Sequence, residues 1–340
     1  VAMKHEALVL LGDPGSGKSS FTNHLLFLCA GYQLDKKQKH LPKDWPAKQS
    51  VPVKILLRDL SVDLQAAQAH TCLSLADDAR DDKLVNLIES HLERQLQEMK
   101  AAAFADELHA FLAAGRCLVV LDGLDEVPPE ERELMRAAIK ALRLRRAANR
   151  YIVTCRVRSW DDRKTLPSFH VSTLGPFNDD QVLQFIQHWY GALQQAGQFS
   201  QAQTKTRIES MQKAIGVLER DLVQNPLLLT TMAVVHYNDA DLPRERVKLY
   251  KRAAEVLLKR WQQHRAGKAG LLETLGIGDR ELYPALWELA YHAHTTAGRE
   301  KAADLPRSKA IEILERHFAA LEKPWEKANI FLEYVDQRAG

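Results

Sequence analysis

The sequence has few cysteines and no apolar run long enough to cross a membrane. Its four cysteines, Cys29, Cys72, Cys117 and Cys155, stand far apart with no close pair. Neither a zinc knuckle nor a disulfide framework is therefore indicated, and a reducing compartment fits best. A membrane helix needs about eighteen or more consecutive apolar residues, and the sequence contains no such stretch.

An excess of charge of one sign is lacking as well. The 47 basic and 44 acidic residues leave a formal charge of +3, which is too small to require nucleic acid or an anionic membrane as a partner. Hydrophobic residues make up 46% and charged residues 27% of the chain, as in an ordinary water-soluble globular protein. A length of 340 residues favours two or three domains. With no signal peptide ahead of the first apolar run, we expect a piece excised from a longer protein.

Five short apolar runs rich in β-branched residues alternate with helical patterns in the first part of the chain. Three of them are continuous rather than alternating, as in parallel strands that are covered on both faces. This order predicts an α/β domain over residues 1–176 with a central parallel sheet flanked by helices. The predicted strands are Ala7 to Leu11, Val51 to Leu57, Cys117 to Leu121, Tyr151 to Thr154 and Phe169 to Leu174.

Three helices of this domain are predicted from spacing and charge. The uncharged stretch from Ser19 to Leu34 predicts a buried helix. Acidic residues follow Pro128, and arginines recur up to Arg150. Acids suit the positive end and arginines the negative end of a helix dipole, so this segment predicts a helix and not a binding patch for nucleic acid. Apolar residues at three- and four-residue spacing predict a long amphipathic helix against the sheet. These residues are Leu84, Leu87, Ile88, Leu92, Leu96 and Met99.

Beyond about Asn178 the strand signal fades and helical patterns follow. We predict a helical domain over residues 177–265 and a third, small domain over residues 266–340, with a linker from Ala266 to Gly270 between them. The predicted helices are Gln181 to Tyr190, Thr206 to Leu218, Pro226 to Tyr237, Arg244 to His264, Leu282 to Thr295, Arg307 to Phe318 and Ala328 to Asp336.

A glycine-rich loop joins the first strand to the first helix. The segment GDPGSGKSS, residues 12–20, fits the phosphate-loop pattern in its required place between a strand and a helix. Gly12, Gly15 and Gly17 allow a close backbone approach, so that successive amides point at phosphate oxygens. Lys18 supplies a positive charge at the β and γ phosphates, and the Ser19 hydroxyl suits a magnesium ion. The remaining nucleotide-binding residues predicted from this loop are Asp13, Pro14, Ser16 and Ser20.

Three acids follow the third strand within five residues, in the segment LVVLDGLDEV. Asp122 comes at the carboxyl end of the strand, where ligands of doubly wound sheets gather, and we predict that it holds magnesium with Ser19. Many P-loop motors carry a glutamate directly after this aspartate, but Gly123 stands there. The catalytic acid is therefore predicted to be Asp125, with Glu126 beside it.

One strand further along, Arg156 follows Thr154 at the same edge of the sheet. Carboxyl ends of parallel strands meet at one edge, so Arg156 is placed to contact a terminal phosphate. A surface salt bridge is the alternative interpretation, because arginines at strand ends are common.

Together these motifs resemble the NACHT family, which belongs to the STAND class of signalling ATPases and is related to NOD-like receptors and bacterial antiphage sensors. The segments that carry the resemblance are GDPGSGKSS, LVVLDGLDEV, the TCR of residues 154–156, NPLLLTTMAVVHY of residues 225–237 and LPRERVKLYKRAAEVLLKRW of residues 242–261. The bacterial branch is the most similar.

The resemblance implies an AAA+-like P-loop domain, a helical domain and a winged-helix domain that is truncated here. It assigns magnesium to Asp122, catalysis to Asp125 and the terminal phosphate to Arg156. It also implies that Pro226 packs on adenine, whereas its position at the start of a helix alone indicates a structural role. The family's winged-helix histidine lies beyond the pattern seen here, and neither His292 nor His294 stands at its position.

This resemblance implies an ATPase that binds ATP or ADP with Mg²⁺ and hydrolyses ATP slowly. The unpaired thiols, the lack of a signal sequence and the intracellular nucleotide supply predict a cytoplasmic location. Exchange of nucleotide would drive self-assembly and activate effector domains, with effector and sensor domains outside this sequence, an unknown trigger, and a role in innate immunity or antiphage defence. Two other classes of function stay open. One is a conventional kinase or GTPase, and the other is a binding module that holds nucleotide for structural reasons, without turnover. No asparagine is followed by lysine, so the guanine motif of a GTPase is absent.

Overall fold

A computed structural model describes residues 2–35, 41–46, 48–160, 166–239, 242–243, 245, 247–252, 255, 275–296 and 305–339. The chain divides into two compact units, Val1–Pro176 and Phe177–Gly340. The three-domain division, with a winged-helix domain from residue 266, stays a prediction. No helix in the described ranges combines the length and the apolar character that a membrane crossing requires.

The first unit is built on a five-stranded sheet in the order β2-β3-β4-β1-β5, with every pair parallel. The predicted α/β class, a parallel sheet flanked by helices, is confirmed, and the strand positions are right to within one or two residues. The strands are β1 (Ala7–Leu11), β2 (Val51–Leu56), β3 (Cys117–Asp122), β4 (Arg150–Cys155) and β5 (His170–Thr173).

Burial along each strand follows its place in the sheet. The interior strands β1, β3 and β4 are buried along their whole length, as strands covered on both faces should be. Strand β2, at one edge, alternates between buried and half-buried residues, and β5, at the other edge, is mostly exposed. Because β3, β4 and β1 lie side by side, their carboxyl ends form one edge on which the next residues of the chain converge.

Helices connect these parallel strands. They are α1 (Lys18–Asp35), α2 (Leu57–Ala66), α3 (Asp77–Glu98), α4 (Ala105–Ala113) and α5 (Arg132–Arg145), with short 3-10 helices at Ala69–Ser74, Ala102–Phe104, Leu124–Glu126 and Val157–Ser159. A large apolar core fills the face of the sheet that carries α2, α3, α4 and α5. A smaller core under α1 fills the other face.

The prediction of a buried helix from Ser19 to Leu34 is wrong as to burial. Only Thr22, Leu25 and Cys29 of α1 are buried, whereas Phe27 is 72% exposed and Leu34 is 89% exposed. The buried residues recur at three- and four-residue spacing and face the sheet, and Leu26 and Tyr32 pack on the same core while half-buried.

Two further predictions need correction. Helix α5 begins at Arg132 rather than at Pro128, because the residues before it turn instead, with Glu131 N donating to Pro128 O at 2.9 Å. Arg150 is not the last turn of α5 but the first residue of β4. Helix α3 packs chiefly on α5, and Met99 lies beyond its end and is 73% exposed.

The second unit is helical throughout its described residues. Its helices are α6 (Asp179–Gln195), α7 (Gln201–Ile215), α8 (Arg220–Val223), α9 (Pro226–Asp239), α10 (Asp279–Thr296), α11 (Arg307–His317) and α12 (Pro324–Ala339). Capping boxes at Asn178 and Ser200 fix the starts of α6 and α7. The helix predicted from Arg244 to His264 falls mostly, and the linker from Ala266 to Gly270 entirely, outside the described residues.

Candidate functional site

The glycine-rich loop folds around an open cradle between β1 and α1. Gly12 N donates to Cys155 O at 3.3 Å, which ties the loop to the end of β4, and Phe21 N donates to Gly17 O at 2.8 Å as the helix begins. Gly15 and Gly17 adopt φ values of 74° and 90°, a region that favours glycine. A Cβ atom on Gly12 would collide with Ser16 Oγ. The sequence pattern therefore matches the backbone geometry that it predicts.

Lys18 turns back onto its own loop. Its Nζ donates to Gly12 O at 2.7 Å and to Asp13 O at 3.3 Å. Burial lowers the pKa of Lys18, the Asp125 carboxylate opposes that effect, and the Arg156 guanidinium adds to it. Lys18 thus lies within electrostatic reach of Asp125 and of Arg156. The phosphate-facing roles of these three residues stay a prediction.

An anion fits this cradle. Ser16 is buried, and its Oγ has no hydrogen-bond partner among the described residues. A buried hydroxyl without a partner is costly, and a phosphate oxygen would satisfy it. Ser19 is half-buried at the start of α1, and Asp13, Pro14 and Ser20 are exposed around the loop.

Asp122 is held at the end of β3 by protein groups. Its Oδ1 accepts a hydrogen bond from Thr154 Oγ1 at 2.5 Å, and its Oδ2 lies 3.2 Å from Lys54 Nζ. Thr154 Oγ1 in turn accepts from Gly123 N at 2.8 Å. The carboxylate is therefore oriented by two neighbouring strands, β2 and β4.

Asp125 and Arg156 form a two-point pair. Asp125 Oδ2 lies 2.8 Å from Arg156 Nε, and its Oδ1 accepts from Arg156 N at 3.0 Å. The Asp125 side chain is 6% exposed, whereas that of Arg156 is 41% exposed. Arg156 thus forms a salt bridge, but with the buried Asp125 of the site and not with a surface acid. Its contact with a terminal phosphate stays a prediction.

Basic residues also fix the rest of the acidic turn, the segment from Asp122 to Glu126. Arg132 donates to Asp125 O and to Val127 O, both at 2.9 Å. Arg58 lies 3.6 Å from Glu126 Oε2. Burial raises the pKa of Glu126, and Arg58 opposes that rise. The three acids that follow one another in sequence are therefore each matched by a nearby base.

Four of these contact residues were not predicted as site residues: Lys54, Thr154, Arg58 and Arg132. Lys54 had a signal in the sequence, because a lysine inside an otherwise apolar strand needs a partner at the sheet edge. Thr154 belongs to the TCR segment but received no role. Arg58 and Arg132 had no signal, since only the folded chain brings their helices to the turn.

The residues for a magnesium ion are hard oxygen donors, the Asp122 carboxylate and the Ser19 hydroxyl, which suit this cation when phosphate oxygens and water complete the shell. Across the described ranges no group of three or more His, Cys, Asp or Glu side chains is placed to hold a metal, and a nucleotide-bound magnesium does not need one. Pro226 lies in the second unit as the first residue of α9, and its role stays a prediction.

Comparison with known proteins gives one family. The model of the NACHT domain matches residues 6–192, a segment that includes the glycine-rich loop, the acidic turn and Arg156. No curated protein matches the chain. Because the matched segment covers more than half of the 340 residues, the chain belongs to the NACHT family of nucleotide-binding NTPase signalling modules.

Proposed function

We propose that this chain is an ATP- and ADP-binding switch whose hydrolysis of ATP is slow and regulatory. The observation that carries the proposal is the Asp125–Arg156 pair at 2.8 Å beside Lys18. Lys18, Asp125 and Arg156 are the three side chains expected to face a terminal phosphate. In this structure Asp125 and Arg156 pair with each other. Binding of a triphosphate must therefore compete with an existing ion pair.

Each residue has a chemical role in this proposal. The loop amides from Gly12 to Ser19 bind the phosphates, and Lys18 exchanges its two loop carbonyls for β and γ oxygens. A magnesium ion held by Ser19 and Asp122 would neutralise charge on the phosphates. Arg156, once released, contacts the terminal phosphate, and the freed Asp125 orients a water and accepts its proton. Turnover is slow because Asp125 and Arg156 must first separate.

The signalling half of the proposal is supported by the family and by the fold. Exchange of ADP for ATP shifts the population toward an assembly-competent state, in which copies of this chain bring effector domains together. We place this activity in innate immunity or antiphage defence, with a foreign protein as the class of trigger. The described cysteines are free and buried, which suits the reducing cytoplasm.

The first experiment identifies the nucleotide that the purified protein retains and measures its ATPase rate beside that of Asp125→Asn. We expect an adenine nucleotide in both, and turnover at least about a hundredfold lower in the variant, because it lacks the general base. Asp106→Asn, an exposed aspartate on α4, is the control. Guanine nucleotide in the wild type, or no nucleotide binding at all, would overturn the proposal.

A second candidate is a nucleotide held as a structural staple without turnover. It is favoured by the full engagement of Asp125, whose two oxygens both contact Arg156. Single-turnover measurement with labelled ATP separates the two: a rate abolished by Asp125→Asn supports the switch, and a rate equal to that of buffer supports the staple.

A further inference from the structure

A groove runs along the first unit beside α5. It lies between α5, the first turn of α3 and the 3-10 helix Ala69–Ser74, and its volume is about 670 Å³. That volume is in the range of small-molecule sites, about 300–1,000 Å³. Leu73, Ala137 and Leu144 supply apolar wall. A ligand there would thus bury part of an apolar body.

Arg136 is the unusual residue of the groove. It lines the groove and is only 8% exposed. Its Nε is buried without a hydrogen-bond partner, and in the described ranges the guanidinium has no ion pair. A buried charge without a partner is strongly unfavourable. An acidic group that enters the groove would supply the missing partner.

The acids around the groove do not fill that role, since they are engaged elsewhere or exposed. Arg80 pairs with Asp77 at 2.9 Å and with Asp81 at 3.2 Å. Asp78 pairs with Arg145 at 2.9 Å. Glu133 is exposed.

Lys140, one helical turn after Arg136, also lines the groove, and no partner for it is found in the described part of the chain. Two cations on α5 therefore remain available to one ligand.

We infer that this groove binds a small monocarboxylate with an apolar body. The carboxylate pairs with the Arg136 guanidinium, whose fork geometry matches it, and Lys140 adds charge at the rim. The neighbouring Asp77, Asp78 and Asp81 disfavour a phosphate dianion more than a single negative charge. The apolar body packs on Leu73, Ala137 and Leu144.

The groove is connected to the nucleotide site through α5. Arg132, one turn before Arg136, holds the carbonyls of Asp125 and Val127. Arg136 also lies near enough to Cys155, which precedes Arg156, to lower its pKa against the burial that raises it to about 12. A ligand on Arg136 therefore acts on the helix that positions the acidic turn. This inference goes beyond the proposed function, since binding can be measured without nucleotide.

The test is calorimetric titration of the whole chain with octanoate, octan-1-ol and inorganic phosphate. We expect octanoate to bind, and Arg136→Met to weaken that binding about ten- to a hundredfold through loss of a charge-assisted pair. Arg116→Met, which removes an exposed arginine of the same unit, is the matched control and should bind as the wild type does. Ala137→Trp keeps Arg136 but fills the groove, and it should abolish binding.

Several results would overturn the inference. Absence of octanoate binding to the wild type removes the site. Equal binding of octanoate and octan-1-ol shows an apolar groove without carboxylate recognition. Phosphate binding that Arg136→Met removes, found in place of octanoate binding, contradicts the monocarboxylate assignment. If Arg136→Met fails to fold, undiminished binding to a folded Ala137→Trp variant overturns the location. None of these results bears on retention of adenine nucleotide, so the proposed function stands or falls separately.

Discussion

The two segments that face the predicted phosphates are prepared in different ways. The glycine-rich loop has groups without outside partners: Ser16 Oγ has none among the described residues, and Lys18 Nζ bonds only to carbonyls of its own loop. The acidic turn has its carboxylates engaged, Asp122 with Thr154 and Lys54, and Asp125 with Arg156. One segment can receive a ligand directly, whereas the other must first give up protein contacts. Affinity should therefore depend mainly on the loop, and turnover on the turn.

The largest effect is expected from Lys18→Ala. Loss of the phosphate-facing charge should weaken ATP binding at least about a hundredfold. Stability should change little because, within the described part of the chain, Lys18 Nζ donates only to loop carbonyls. Titration calorimetry and thermal unfolding measure the two quantities. Lys83→Ala, an exposed lysine on α3, is the control. An unchanged ATP affinity in Lys18→Ala would contradict the view that affinity depends mainly on the glycine-rich loop.

Thr154→Val should act on the turn instead. It leaves Asp122 Oδ1 and Gly123 N each without their hydrogen bond to Thr154 at a buried position, which should cost about 2 kcal/mol of unfolding free energy. Denaturant unfolding checks the value. Thr154→Ser keeps the hydroxyl and should recover most of the loss. An unchanged stability in Thr154→Val contradicts the engagement of Asp122 by the threonine hydroxyl.

Gly123→Ala should have a smaller effect, on the order of 1–2 kcal/mol, because Gly123 has φ of 85° and an alanine there is strained. The added Cβ also meets the Glu126 side chain at 2.9 Å, so turnover should fall while ATP affinity is kept. Gly175→Ala, where a Cβ meets nothing within 4 Å, is the matched control. A fall in affinity as large as the fall in turnover would show that the two segments do not act separately.

The smallest expected effect is a pH dependence of stability at Glu131, shortly after the acidic turn. The hydrogen bond between His70 Nε2 and Glu131 Oε2, 2.8 Å long, holds the pKa of Glu131 below its ordinary 4.5. A depressed carboxyl pKa stabilises the fold above the unfolded value, and that stabilisation is lost as pH falls through the folded pKa.

Glu131→Gln should therefore lower stability at pH 7 by about 1 kcal/mol or less, and the difference from wild type should shrink below about pH 4.5. Unfolding in denaturant at pH 7 and at pH 3.5 measures both values. Glu130→Gln, at the neighbouring exposed glutamate, is the control. A difference that grows as the pH falls would contradict a depressed pKa for Glu131.

Sequence alone predicted the sheet and the glycine-rich loop, because both depend on local patterns. Continuous apolar runs marked β1, β3 and β4, and glycine spacing fixed the loop. It did not predict the partners of the acids. The Asp125–Arg156 pair joins residues that are 31 positions apart, and Arg58 reaches the turn only because α2 follows β2 beside β3.

Burial was harder to predict than secondary structure. The apolar composition of α1 indicated a buried helix, yet Phe27 and Leu34 are exposed, because composition does not show which elements cover a face. Pro128 and Pro129 indicated a helix start four residues too early, since the Pro128–Glu131 turn uses the same residue types. Arg150 was assigned to a helix end because an arginine is unusual at a buried strand position, yet it is the first residue of β4 and is buried like the rest of that strand.

Arg150 has a mechanical consequence. Its guanidinium donates to the carbonyls of Ala2, Met3 and His5, and it stands at the opposite end of β4 from Arg156. A strand of six residues is about 20 Å long. A displacement of residues 2–5 would therefore be transmitted along β4 to Arg156, which pairs with Asp125.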